Sequence, residues 1–547
     1  MAEVVLNIQS LWLKTEIQLE SITKIWKSID PRLQRLFYDL LNHLRVKLKV
    51  ASEEVDRVAT PGRHLSVLQV KKLQAMVYKN SIVQATNDLE NWQRRFDPSW
   101  YLITRVADST VDNYLVDKDS ETTGPTEKLK HLREAMRGVQ SVKMGSVFID
   151  GGMIAGEQHQ LPFSTAYTSH LTNGDGRVLV DITNYNEDLN TTVAKLHVRD
   201  LARRLANSDP GEFGLLHCRG VVESPDTKRV HFRLVFDIPP SLSNPRTLRD
   251  VLLQKLPHPL DQRFKLAKQL VRSLMFVHTS GFVHKNIRPE TIVIFQEKDI
   301  LLGPSFLVGF ERFRPSIAGT VYSGDANWEK NLYRHPKRQG LHPEDRYVMQ
   351  HDIYSLGVCL LEIGFWTSFV QWDSDSPSPG TELGEAITKA LLVKKSALAV
   401  KQGLLSMATE QLPRMMGQLY ADLALACLTC LDPGDANLFG KEEDLEDEDG
   451  IIVGVQYIEK VSGIKFIWTS LTGHRYCCKW MIFRSNGVWD NECFPYKFCF
   501  LQMSRQLNTA KAQLEKFWRL MALDMFQSRV HRAATDREEG LDVRFIL

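Results

Sequence analysis

The segment Phe282–Ile294, FVHKNIRPETIVI, constrains the fold more than any other stretch of this chain. A charged, proline-bearing turn lies between strand-forming apolar residues and follows a helical run, LAKQLVRSLMFVHTSG. Further on stands IYSLGVCLLEIGFWTSFV, the one run approaching the length of a membrane span. Ser355 and Glu362 interrupt it and Asp352 precedes it like a helix N-cap, so a buried core helix is expected. With 547 residues, 43% hydrophobic and 24% charged, the chain falls in the soluble globular class and is long enough for two to four units. A net charge of +2 gives no overall footprint for nucleic acid, and none is expected as a partner.

The first hundred residues have helical periodicity. Val4, Ile8, Leu11, Thr15, Leu19, Ile22, Trp26 and Ile29 form one apolar stripe. Asp30-Pro31 restarts the chain as an N-cap with proline at the first helical position. A second stripe is Leu33, Phe37, Leu40, Leu44 and Leu48, and a third helix is predicted from about Leu65 to Phe96. Antiparallel helices of this kind make a bundle. Between Asp117 and Pro125 the sequence DKDSETTGP offers no apolar anchor and marks a boundary. Beyond it, SVFIDGG and RVLVDIT read as strands, and from Leu248 helices dominate again. The expected class is α+β: a helical bundle over 1–120, a second domain over 135–460 with a mainly β lobe at about 140–240 and a mainly helical lobe at about 245–460, and an atypical tail over 461–547.

The N-terminus lacks the basic-then-apolar pattern of a secretory signal, which predicts a cytoplasmic protein. The eight cysteines show no framework spacing. Cys427 and Cys430 lie in the helical DLALACLTCL without a second ligand pair, so they read as buried thiols and no metal site is expected.

FVHKNIRPETIVI resembles the catalytic loop of a protein kinase, H-R-D-L-K-P-E-N between apolar strands. His284, Pro289 and Glu290 match, and Lys285 and Arg288 keep charge. DIYSLGVCLLE resembles the kinase helix whose buried aspartate supports that loop, with Asp352, Ser355 and Gly357 at matching positions. YRHPKR takes the place of the A-P-E element, keeping Pro336 and replacing its glutamate with Lys337.

The resemblance also identifies losses. The position of the proton-accepting aspartate is Asn286, whose amide is no base. The magnesium asparagine is Thr291, and D-F-G reads Gly309-Phe310-Glu311. The strand Arg177–Thr183 has no lysine for phosphates, and VAKLHVRDLARRLA has no glutamate to pair with one; Lys195 within it reads as a solvated lysine. Gly145, Gly151 and Gly152 do not form G-x-G-x-x-G and read as turn glycines. No catalytic residue is therefore expected, the domain resembles a pseudokinase, and ATP binding is left open. The alternative is an unconventional active ATP-dependent protein kinase that recruits Asp299 or Glu311 as its carboxylate.

LWLKTEIQLESITKIWKSIDPRLQRLFYDLLNHLRVKL together with this domain resembles a fungal family in which a HeLo-like, prion-inhibition and propagation domain precedes a kinase-like domain. The resemblance implies a regulator in signalling or regulated cell death, with protein partners, self-association through the bundle and membrane association on activation. Family members usually begin with a further apolar helix, absent here, which weakens the membrane expectation. Arg45, Lys47 and Lys49 read as a solvated helix face rather than a lipid-binding one, and the acidic KEEDLEDEDG as a solvated loop. GIIVGVQYIEKV resembles the family's closing helix, after which the character changes. Ser462–Phe500 holds Cys477, Cys478, Cys493 and Cys499 without metal spacing, and Val461-Ser462 is what a read-through splice donor encodes. The expectation is a translated intron or altered gene-model end, with a helix from about Gln502 to Val530.

Overall fold

In the computed structural model, the described residues are 31–59 and most of 146–433, with breaks at 173–175, 185–190, 224–230, 311–313, 316–325 and a few shorter ones, plus scattered positions among 15–29 and at 88, 92, 96, 133 and 512. The chain divides into two units, Met1–Lys130 with Thr469–Leu547, and His131–Trp468. The bulk of the Leu65–Phe96 helix, the acidic loop, the closing helix and nearly all of the tail lie outside the described residues.

In the first unit, helix α1 spans Pro31–Ala59. Proline suits this start because a first-turn N–H has no intrahelical acceptor. Leu33, Leu36, Phe37, Leu41, Leu44 and Leu48 are buried on one stripe, and Thr15, Leu19, Ile22, Trp26 and Ile29 are buried ahead of it. Leu40, expected in that stripe, is only partly buried, and its place is taken by Leu36 and Leu41. At 3.6 residues per turn, the step of four from Phe37 stays on the stripe while Leu40 falls at its edge. The Trp92 indole N–H donates to the Leu40 carbonyl at 2.7 Å, and Trp92 stacks on Phe96 at 4.7 Å. Lys47 pairs with Asp88 at 3.0 Å.

The second unit opens with an antiparallel sheet of β1 (Ile154–Gln160), β2 (Tyr167–Leu171), β3 (Arg177–Asn184), β4 (Cys218–Glu223) and β5 (His231–Asp237), in the order β1-β2-β3-β5-β4. Helix α2 (Thr191–Ala206) joins β3 to β4 and packs on β4. Successive strand side chains point to opposite faces. Val178 and Val180 of β3 join Tyr167, Val222 and Val235 in one core, with Ile182 packed against it. Leu179, Asp181 and Thr183 face the other way and are buried too, so this strand is covered on both sides.

The chain continues through β6 (Leu242–Thr247), α3 (Leu248–Leu253), α4 (Leu260–Thr279), β7 (Phe282–Val283), β8 (Ile292–Glu297), β9 (Ser305–Leu307) and β10 (Arg314–Pro315). Helix α5 (Met349–Phe365) follows, then the hairpin β11 (Val370–Asp373) and β12 (Ser376–Pro379), and helices α6 (Ala397–Ser406) and α7 (Gln418–Leu428). Every residue of α5 from Gln350 to Gly364 is buried, and the helix packs on α4 and α7. Gly357 permits the α7 contact: a Cβ there would lie 3.0 Å from Cys427 and 3.1 Å from Leu428. Among the described residues, no helix is long and apolar enough to cross a membrane, and no cluster of three or more His, Cys, Asp or Glu could hold a metal. Cys427 and Cys430 are buried thiols, and burial pushes Cys427 up to about 12.

Candidate functional site

The turn between β7 and β8 hangs on a single carboxylate. Asp352, in the first turn of α5, accepts the His284 N–H at 2.7 Å and the Lys285 N–H at 2.8 Å. It also accepts the Tyr347 hydroxyl at 2.6 Å and the His278 ring N–H at 3.0 Å. Val348, not Asp352, is the N-cap of α5, while the aspartate bonds the 284–285 backbone, the support that the resemblance implied for it. Burial alone would raise its carboxyl, but the bond and charge of His278, the charge of His284 and the Tyr347 bond together hold it below the usual range. These contacts keep Lys285 in a left-handed backbone with φ of 65°, a conformation that costs a non-glycine residue about 1–2 kcal/mol. His284 is buried against Phe310, with ring centroids 4.8 Å apart, and burial pushes it down to about 4.

The structure brings Asn286, Thr291 and Gly309 together. The Asn286 amide donates to the Gly309 carbonyl at 3.2 Å. The Thr291 hydroxyl reaches the carbonyls of Asn286 at 2.8 Å and Arg288 at 2.9 Å, while accepting the Arg288 N–H at 3.2 Å. Gly309 has φ of 84°, and a Cβ on it would lie 2.3 Å from the Thr291 methyl. A side chain at 309 and threonine at 291 thus exclude each other. Glu311 lies outside the described residues. Asp299 is exposed on the turn beyond β8. The six residues of that strand put it about 20 Å from Thr291 at roughly 3.3 Å per residue.

Asp181 was not singled out from the sequence. One of its carboxylate oxygens accepts both the Gly309 N–H at 2.9 Å and the Phe310 N–H at 3.0 Å. It joins the middle of β3 to the same Gly309 that meets Asn286 and Thr291. Lys195, by contrast, lies on α2 and pairs with Glu223 at 2.7 Å on the surface. Gly151 and Gly152 form a short turn before β1, and Gly145 lies outside the described residues. The β1–β2 turn, Leu161–Ala166, contains no glycine. Its Pro162 carbonyl accepts the Thr247 hydroxyl at 2.9 Å, and its Phe163 ring lies 5.7 Å from Trp372.

A second buried polar group supports the turn from behind. Arg249 of α3 donates to Glu290 at 3.1 Å, Glu362 at 2.9 Å, Ser368 at 2.5 Å and Tyr333 at 2.5 Å. Burial, opposed by Arg249, leaves the Glu362 carboxyl raised. Burial is outweighed at Glu290, where Arg249 and Arg288 together hold the carboxyl low. Two carboxylates share one guanidinium, so the proton preference falls on Glu362. Pro336 lies in a short turn over 336–338, and exposed Lys337 pairs with Asp345 at 3.5 Å.

Among curated proteins, the chain is similar to the eIF-2-alpha kinase GCN2 of Schizosaccharomyces pombe, at 23% identity over 125 residues. The match covers 21% of this chain and 8% of that protein. No protein-family model matches. The short similarity to a protein kinase and the β-sheet lobe fit a kinase-like fold.

Proposed function

We propose that this chain is a catalytically impaired, protein-kinase-like regulator that works by binding and conformational switching. The observation that carries the reading is the joint use of Asn286, Thr291 and Gly309. The groups at the positions of a kinase's base and two metal ligands are an amide, a hydroxyl and a glycine, all bonded or packed to one another. A missing general base costs roughly a hundred- to ten-thousand-fold, and a missing metal clamp removes further transition-state stabilisation. Starting from roughly 1–100 turnovers per second, little phosphoryl transfer is left. A five-stranded sheet with a helix between its third and fourth strands, the 282–294 turn, and Asp352 beneath it support the kinase-like side of the reading.

At the front of the chain, the buried stripes over Thr15–Ile29 and along α1 support a HeLo-like helical bundle. The combined architecture belongs to a cytoplasmic switch in signalling or regulated cell death, with protein partners and self-association through the bundle. Intact-mass analysis of the full protein with ATP and magnesium or manganese tests the enzymatic side. No phosphate adduct is expected from folded protein. Adducts that vanish in Glu311→Ala or Asp299→Ala would make it an unconventional active kinase instead.

A further inference from the structure

The sheet and the 282–310 segment, between which the kinase-like reading puts a nucleotide cleft, are tied together by the protein's own side chains. β3 is the strand on which a kinase carries the lysine that pairs with nucleotide phosphates. In this β3 the buried ionisable side chain is Asp181, an acid in place of a cation. Its carboxylate bonds the consecutive N–H groups of Gly309 and Phe310. Phe310 then sits against both Phe236 of β5, at 6.5 Å, and His284, at 4.8 Å.

Two further sets of contacts fasten the segments around it. The Asn286 amide holds the Gly309 carbonyl, so both polar groups of that residue are engaged by side chains on opposite sides. The β1–β2 turn has an apolar sequence, Leu161-Pro162-Phe163, and is fastened to the helical part through Thr247 and Trp372.

We infer that Asp181 is a latch and the specificity-determining residue of this cleft: its carboxylate holds the Gly309–Phe310 backbone and excludes nucleoside triphosphates. Two physical effects combine. Asp181 stands on the strand where a kinase carries its phosphate-binding lysine, so the attraction that holds a triphosphate there is missing. Charge-assisted hydrogen bonds to backbone N–H groups are about twice as strong as neutral ones, and they are lost if the segment moves to admit a ligand. The inference rests on the kinase-like reading of the domain and goes beyond it, since an impaired kinase can still bind nucleotide.

The test uses full-length protein and two readouts. Titration calorimetry with ATP, with and without magnesium or manganese, is expected to show no binding to the wild type at millimolar concentration. Hydrogen–deuterium exchange is followed on peptides covering Gly309–Phe310 in wild type and Asp181→Asn, which keeps an acceptor of the same shape but removes its charge. Exchange there is expected to rise by about tenfold or more in the variant, while peptides from α5 and α7 stay unchanged. Wild-type ATP binding without phosphate transfer overturns the latch and leaves the regulator reading intact. Phosphate transfer overturns the regulator reading itself. Unchanged exchange in Asp181→Asn also overturns the latch. If that variant fails to fold, the wild-type titration still decides the exclusion of nucleotide.

Discussion

Gly309 shows how one position can commit a site. Its φ of 84° suits glycine, and the Thr291 methyl fills the space where a side chain would begin. A left-handed alanine costs about 1 kcal/mol and overpacking a filled site about 1–3 kcal/mol. Gly309→Ala should therefore destabilise the fold by about 2–4 kcal/mol, read as a lower urea midpoint. Adding Thr291→Ser removes the nearest methyl and should recover part of that loss, a non-additivity that a double-mutant cycle measures. Simple additivity would mean the two residues do not compete for space. Asn286, Thr291 and Gly309 could be picked out from the sequence because the flanking His284, Pro289 and Glu290 fix the alignment. Asp181 could not. In RVLVDIT it alternates with Val178, Val180 and Ile182, which is how an outward-facing strand residue looks. Only the cover on the second face of β3 makes it a buried group.

At the scale of elements, α5 was legible and its partner was not. A long apolar run opened by Asp352 announces a buried helix. Glu362 within it reads only as an interruption until Arg249, 113 residues earlier, is found against it at 2.9 Å. No local pattern reports a pair separated by so much chain. The arrangement predicts an asymmetry. Arg249→Met would leave Glu290 and Glu362 buried without their cation and should cost about 3–5 kcal/mol. Glu362→Gln leaves Arg249 bonded to Glu290, Ser368 and Tyr333, and should cost about 1–3 kcal/mol. Chemical denaturation of both variants measures the difference, and equal losses would show that Arg249 is not the hub. The Leu40 expectation failed at the same scale: spacing identifies a stripe, but which residues lie at its centre depends on what packs over it.

For the whole molecule, the order of helical front, sheet and helical lobe follows from periodicity and composition, whereas the burial of His335 and His351 has no sequence signature and shapes its response to acid. His335 and His351 pack 5.7 Å apart, near Tyr347, Tyr354, Lys401 and Asp432. The His351 ring nitrogen accepts the Val348 N–H at 3.0 Å, which only an unprotonated nitrogen can do. Burial pushes His335 to about 4, reinforced by Lys401, and His351 to about 3, reinforced by His335. His284 is likewise pushed to about 4. An unfolded histidine titrates near 6.5. Between that value and the folded ones the unfolded chain binds more protons, so stability is intact above about pH 6.5 and falls as pH drops toward 4. A histidine moved from 6.5 to about 4 makes the protein less stable at pH 5 than at pH 7 by about 2 kcal/mol. Glu362 acts in the opposite sense, because its raised carboxyl takes up a proton more readily in the folded state and offsets part of the loss. Denaturant midpoints from pH 7 to pH 5 should therefore decline, and His335→Phe should flatten the slope by about one histidine's share. An unchanged slope in that variant would mean that His335 is protonated without cost in the folded protein.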